Sequence, residues 1–179
     1  VHTDEHVSVT GLALRHRVPC TGFVFRETAV LRLLRTDRLH EIPQFKRALV
    51  KQGEDLVFPD GKRLSNAELT LDPLPPRSYA YCSDTAYEPA LLPYVKGVDL
   101  LYHEATFTTA MIDRAKETMH STAAQAAQLA SDAGVGQLLL GHFSSRYKNA
   151  DVLLQEALPI FPRTLLSNEG GLFQVERRD

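Results

Sequence analysis

Ser78-Tyr79-Ala80-Tyr81-Cys82-Ser83-Asp84-Thr85, followed by Val98-Asp99-Leu100-Leu101-Tyr102-His103 and by Gln137-Leu138-Leu139-Leu140-Gly141-His142, decides the fold. Each stretch is a short apolar run, the pattern of a buried strand. Between them lie helical segments. One is expected near 87–96, starting after Thr85 and stopping at Gly97. The other runs over Ser121–Ala133, with Ser121 or Thr122 as cap, alanines through its body and Gly134 as stop. Alternating strands and helices over 78–142 predict α/β layer packing. Asp84 and His142 sit just past their strands, where such folds place their chemistry.

Working outward, Val7-Ser8-Val9-Thr10-Gly11-Leu12-Ala13-Leu14 alternates as a strand over 7–16 and ends on His16. Residues 22–30 read as its hairpin partner. Downstream, 108–118 reads as a poor helix or loop. Residues 149–160 read as a helix capped by Asn149. Two short strands, Thr164–Ser167 and Leu172–Glu176, flank Gly170-Gly171. These end segments add antiparallel sheet. Residues 31–76 differ in character. They are rich in charge and close with the turn Phe58-Pro59-Asp60-Gly61 and the breaker Leu74-Pro75-Pro76. They predict an inserted arm with a short helix near 41–51.

The 179 residues suffice for one domain with a sizeable core. A formal net charge of −2 excludes a uniformly basic nucleic-acid binder, so any such contact must be local. Arg32, Arg35, Arg38, Lys46, Arg47, Lys51, Lys62 and Arg63 concentrate cationic charge in the arm. That concentration reads equally as a solvated face or as an RNA backbone grip. Cys20 and Cys82 are too few for a disulfide framework and read as small buried residues. No apolar run is long enough to cross a bilayer.

Three histidines and a carboxylate, His16, His120, His142 and Asp84, suit a divalent metal such as zinc. Each has a plainer reading. Asp84 can cap the following helix, His120 can pack on a first turn, and His16 and His142 can be satisfied core residues. His2, His6 and His40 read as surface groups.

Five strings in order carry a resemblance: Arg15-His16-Arg17-Val18-Pro19-Cys20-Thr21-Gly22-Phe23, Ser83-Asp84-Thr85, His103-Glu104-Ala105-Thr106-Phe107, His120-Ser121-Thr122, and Gly141-His142-Phe143-Ser144-Ser145-Arg146-Tyr147. Together they resemble ribonuclease Z, over all of the chain but 31–76. The resemblance implies a metallo-β-lactamase-like αββα sandwich with two zinc ions. It implies an endonuclease that removes 3′ trailers from precursor tRNA and leaves a 3′-hydroxyl, in a cytoplasmic homodimer. His16 and His142 would each bind one zinc, and Asp84 would bridge both. His120 would protonate the leaving 3′-oxygen or stabilise charge on the phosphate. Glu104 would hold His120 or bind backbone, and His103 would orient a ligand or be structural. Arg146 would pair with a carboxylate or with phosphate. Arg35, Arg38, Lys46, Arg47 and Lys51 would be the RNA contacts of the arm.

Two features depart from that family. The string His-x-His-x-Asp-His is absent, and His2-Thr3-Asp4-Glu5-His6 does not fit it. Residues 1–179 are therefore expected to be the C-terminal portion of the domain and impaired alone. The arm also lacks a Gly-Pro-rich pattern. Two rivals follow: another hydrolase of the same fold acting on a small ester or phosphodiester, and a non-catalytic fragment that only folds, dimerises or binds RNA.

Overall fold

Val7–Leu14 (β2) and Cys20–Glu27 (β3) form an antiparallel hairpin registered from Val7 opposite Glu27 to Leu14 opposite Cys20. Alternation sends Leu12, Leu14 and Val24 into the core. Gly22 is required by close approach, since a Cβ there would lie 2.7 Å from the Tyr81 carbonyl oxygen. This computed structural model describes residues 2–28 and 31–177. Residues 29–30 of the expected second strand lie outside that range, and the described strand ends at Glu27.

Contacts among α-carbons divide the chain into two compact units, 1–28 with 77–179, and 29–76. The second unit contains four two-residue strands: Leu33–Leu34 (β4), Leu56–Val57 (β5), Arg63–Leu64 (β6) and Thr70–Leu71 (β7). β4 pairs with β7 and β5 with β6, both antiparallel. Where one helix was expected near 41–51, the chain forms 3-10 turns at Thr36–Glu41 and Gln44–Lys46 and a five-residue helix, Arg47–Lys51 (α1). Pro43 interrupts the run because it has no N–H to give to a helix. Asn66–Leu69 (α2) starts at a Ser65/Glu68 capping box. Ile42, Val50, Leu56 and Leu69 form a small core of their own.

In the first unit, Ser78–Cys82 (β8), Leu100–Glu104 (β9), Gln137–Gly141 (β10) and Thr164–Leu166 (β11) complete a seven-stranded sheet with His2–Thr3 (β1), β2 and β3. Its order is β1-β2-β3-β8-β9-β10-β11. The pairs from β1 to β8 are antiparallel, and those from β8 to β11 parallel. Leu92–Val95 (α3), Ile112–Thr118 (α4), Ala123–Ala133 (α5) and Asp151–Ala157 (α6) are its helices. Ala126, Ala127, Leu129, Ala130 and Ala133 of α5 join Leu101, Leu138 and Leu140 in the core. Small alanines let the helix lie close on the sheet. The opposite sheet face carries the Phe25–Tyr79 and Tyr81–Tyr102 stacks, with ring centroids 5.8 and 4.8 Å apart. The described residues thus form one helical layer on one sheet, half of an α/β sandwich.

Several expected boundaries shift. Thr122 caps α5 through a capping box with Gln125, and Gly134 closes it at φ 61°. The helix expected over 87–96 is only a 3-10 turn at Pro89–Leu91 and then α3, because Pro89 and Pro93 cut it short. The expected helix over 149–160 shrinks to α6. Its cap position is Ala150, and Asn149 instead closes a local turn by accepting from the Asp151 N–H at 2.9 Å. Residues 172–177 form no strand.

Glu27 at the end of β3 clamps Arg77 at the mouth of β8, accepting from its main-chain N–H at 2.8 Å and its Nε at 2.9 Å. Arg177 lies 3.4 Å away. The Arg77 side-chain and backbone bonds hold the Glu27 carboxyl down at about 2. A depressed carboxyl contributes stability above its ordinary value, and that contribution is lost as pH falls through about 2. Glu27→Gln should therefore lower the melting temperature at pH 7 by a few degrees and flatten the fall in stability across that acid window. Thermal melts over a pH series read both.

Candidate metal centre

The site grows from the carboxyl ends of the parallel strands. Asp84 lies two residues past β8, Glu104 ends β9 and His142 directly follows β10. Asp84 and His142 have φ of 58° and 57°, and Met119, before His120, has 59°. Among the described residues these are the non-glycine residues with positive φ. Left-handed backbone strains such residues and concentrates at functional sites. Here it turns the chain sharply at each strand or helix end, so the following side chains face one centre.

Asp84, Glu104, His120 and His142 each offer a ligand atom within 4.8 Å of the others. His142 Nε2 lies 3.0 Å from Asp84 Oδ1. The His120 ring centroid is 4.9 Å from that of His16 and 5.3 Å from that of His142. Asp84 does not cap the next helical turn, whose cap is Glu88. The side chains of His16, Asp84 and His142, scattered in sequence, therefore gather around His120.

Glu104 organises the group. It is wholly buried. One oxygen accepts from Thr85 N–H at 2.6 Å and from His120 Nδ1 at 2.8 Å. The other accepts from Thr106 Oγ1 at 2.6 Å and from Ser121 N–H at 3.1 Å. Burial pushes its pKa up, but the bonds from His120, Thr106 and Ser121 outweigh this and hold the carboxyl below its usual value. Four donors occupy both oxygens, so Glu104 serves as an anchor and leaves metal ligation to its neighbours.

The tautomers follow from these partners. Thr106 has one hydroxyl proton. Given to Glu104, it leaves the Thr106 oxygen to accept from His142 Nδ1 at 2.9 Å. His16 Nδ1 donates to the Met119 carbonyl at 3.0 Å. All three imidazoles thus spend Nδ1 on an acceptor and keep Nε2 as the remaining nitrogen, which in His142 lies 3.0 Å from Asp84 Oδ1. The bond to Glu104 raises the His120 pKa, against a smaller opposing effect of burial. The Asp84 carboxylate and the His142 imidazole are donor types that fit a zinc-type cation, and His16 stands outside the compact group and meets it through the His120 ring.

His103 is fully buried, and burial lowers its pKa. Its Nδ1 donates to the Glu104 carbonyl at 2.7 Å, so it braces the strand end that carries Glu104. Arg146 meets no carboxylate among the described residues. Its Nε donates to Ser144 Oγ at 3.1 Å, and its guanidinium lies 5.1 Å from the Phe107 ring centroid. In the 29–76 unit, Arg35 pairs with Asp37 and Arg38 with Glu41. Lys46 donates to the Val57 carbonyl, and Arg47 to those of Leu39 and Ile42. Sequence reasoning gave no role at the site to Thr85, Thr106 or the Met119 carbonyl, and gave Ser121 only a helix-cap role. Thr106 and Ser121 lie inside the strings that carried the resemblance, but nothing in a linear string reveals that both meet one carboxylate.

A family model described as the beta-lactamase superfamily domain matches residues 47–143. A curated ribonuclease Z of Bacteroides fragilis is 46% identical over 171 residues, 94% of this chain and 56% of the relative. One of Phocaeicola vulgatus is 47% identical over 178 residues, 98% and 58%. The chain spans little more than half the length of these relatives. Among solved structures, the metallo-beta-lactamase fold protein YhfI of Bacillus subtilis superposes with a TM-score of 0.59 at 20% identity, over 96% of this chain and 50% of that one. The short form of human tRNase Z gives 0.56 at 21%, over 98% and 46%. At these identities the two structures bear on the fold alone.

If Glu104 anchors the site, removing it strands four donors, three of them buried. Glu104→Ala should lower the unfolding free energy by about 3–5 kcal/mol. Thr106→Val, which removes a single hydroxyl, should cost about 1 kcal/mol. Urea unfolding of the variants checks the ranking, and equal costs would remove Glu104 from its central place.

Proposed function

The chain belongs to the beta-lactamase superfamily, and from that premise we propose that it forms the larger part of a ribonuclease Z. Such an enzyme is a zinc-dependent endoribonuclease that cuts 3′ trailers from precursor tRNA and leaves a 3′-hydroxyl. The observation that carries this reading is the gathering of Asp84, Glu104, His120 and His142 within 4.8 Å, with His142 Nε2 3.0 Å from Asp84 and His120 Nδ1 tied back to Glu104. Relatives at 46–47% identity named ribonuclease Z support it.

His16 and His142 would each hold one ion of a pair, with Asp84 between them. Bound zinc supplies a Lewis acid that neutralises phosphate charge and acidifies water. The chain's own residues do the rest. Thr106 fixes the His142 tautomer, and the Met119 carbonyl fixes that of His16. The Glu104 bond favours the charged form of His120, whose Nε2 would give a proton to the departing 3′-oxygen or hold charge on the phosphate. Arg146 meets no carboxylate among the described residues and suits a substrate phosphate.

The same reading includes a cytoplasmic homodimer. Free Cys20 and Cys82 accord with a reducing compartment. Among the described residues no helix is long and apolar enough to cross a membrane. Residues 1–179 act as the C-terminal portion of the catalytic domain, and a complementary segment contributes further ligands.

With that segment supplied and zinc present, precursor tRNA should be cut after the discriminator base. Hydrolysis of a small phosphodiester without any tRNA cleavage would favour a different hydrolase of the superfamily. Residues 1–179 alone, stripped of metal and given zinc, should bind it weakly and cut poorly. Robust cleavage by that chain would refute the need for a complement. His120→Ala should lower the cleavage rate by about 10²–10⁴ while zinc content stays near wild type. Asp84→Ala should lose both. Metal analysis beside single-turnover rates separates the two, and equal zinc loss would make His120 a ligand.

A further inference from the structure

An anionic substrate meets its charge at the rim of the metal centre. The 29–76 segment has eight basic and seven acidic residues. Arg35 and Arg38 are spent on carboxylates, and Lys46 and Arg47 on carbonyls. Arg32 and Arg63 are likewise paired, with Asp72 and Asp55. Recruiting these cations to phosphate would first break bonds that hold the segment together.

Arg17 stands in a different position. It directly follows His16, whose ring touches His120, in the turn between β2 and β3. It is exposed and makes no hydrogen bond or ion pair among the described residues. Its neighbour Arg15 already lies 4.0 Å from Glu88. Arg17 follows a histidine whose ring meets the row, and its side chain has no carboxylate partner among the described residues, so its charge is unmatched until an anion arrives. Being exposed, it stays hydrated while it waits and costs the fold little.

We propose that Arg17 is a substrate-contacting residue that binds an RNA backbone phosphate adjacent to the one cleaved. This rests on the ribonuclease Z reading. The guanidinium fork can give two N–H groups to two phosphate oxygens. Arg146, stacked on Phe107, whose ring lies 6.2 Å from that of His120, offers a second guanidinium beside the same row. Two such charges would give the strand two anchor points beside the reacting group, and fixed geometry favours attack. The contact reads backbone and ignores base identity, as a tRNA-wide enzyme needs.

The test uses the complete protein with zinc, precursor tRNA across a salt series, and the variants Arg17→Ala, Arg17→Lys and Lys96→Ala. Lys96 is an exposed cation ahead of β9, at the other end of that strand from Glu104. Arg17→Ala should raise KM about three- to tenfold and reduce the slope of log affinity against log salt by about one. Arg17→Lys, which keeps the charge and loses the fork, should recover the slope while leaving part of the KM defect. Lys96→Ala should match wild type in both. A wild-type slope and KM in Arg17→Ala would overturn the inference. So would zinc loss in that variant, which would make the residue a support for His16. If the wild type fails to bind or cut precursor tRNA, the ribonuclease Z reading falls and this inference with it. Cleavage by the wild type with an unchanged Arg17→Ala slope removes this inference alone.

Discussion

A carboxylate that is wholly inside a protein must be paired or it will not stay charged, and Glu104 meets that demand with four donors. Those donors come from three segments: the turn after β8, the link after β9, and the lead into α5. Satisfying one buried charge therefore fixes where three loops end. His120 receives its orientation directly, and His142 receives it through Thr106. The metal-facing geometry is in this sense a consequence of desolvation. The strand ends supply positions, and the buried charge turns those positions into directions.

The backbone contributes the second constraint. Asp84, Met119 and His142 hold left-handed conformations that cost non-glycine residues about 1 kcal/mol or more each. The surrounding sheet and α5 supply the packing that tolerates this. Neighbouring chain gains from the same strain, since Met119 turns its carbonyl toward His16 and brings His120 in line. Stability and site are therefore coupled through a few residues at the strand ends, and the large alanine-lined core behind them acts as ballast.

The 29–76 segment obeys a separate logic. It has a core of four residues, a capping box, and Asn66, which ties the Val50 and Glu54 carbonyls together. Its arginines and Lys46 neutralise its own anions or close its own turns. Charge counted along a sequence measures what is present, and charge in a fold measures what is left. That difference moves attention from the arm to Arg17 and Arg146.

From residues alone one could read the strand–helix alternation, the hairpin at β2–β3, the α5 boundaries at Thr122 and Gly134, and the candidates His16, Asp84, His120 and His142. These were legible because period, caps and stops are local, and because ligand-type residues at strand ends stand out against apolar runs. The short helices at 89–95 and 151–157 and the strandless tail at 172–177 were misread, since prolines and the lack of a neighbouring strand among the described residues outweigh local propensity. Tertiary structure alone decided that Glu104 is an anchor, that Thr106 sets a tautomer, and that the arm's arginines are already engaged. Each depends on which groups meet after long stretches of chain have folded back. A hydrogen bond has a direction and a buried charge has a solvation cost, and neither is written in the order of the residues.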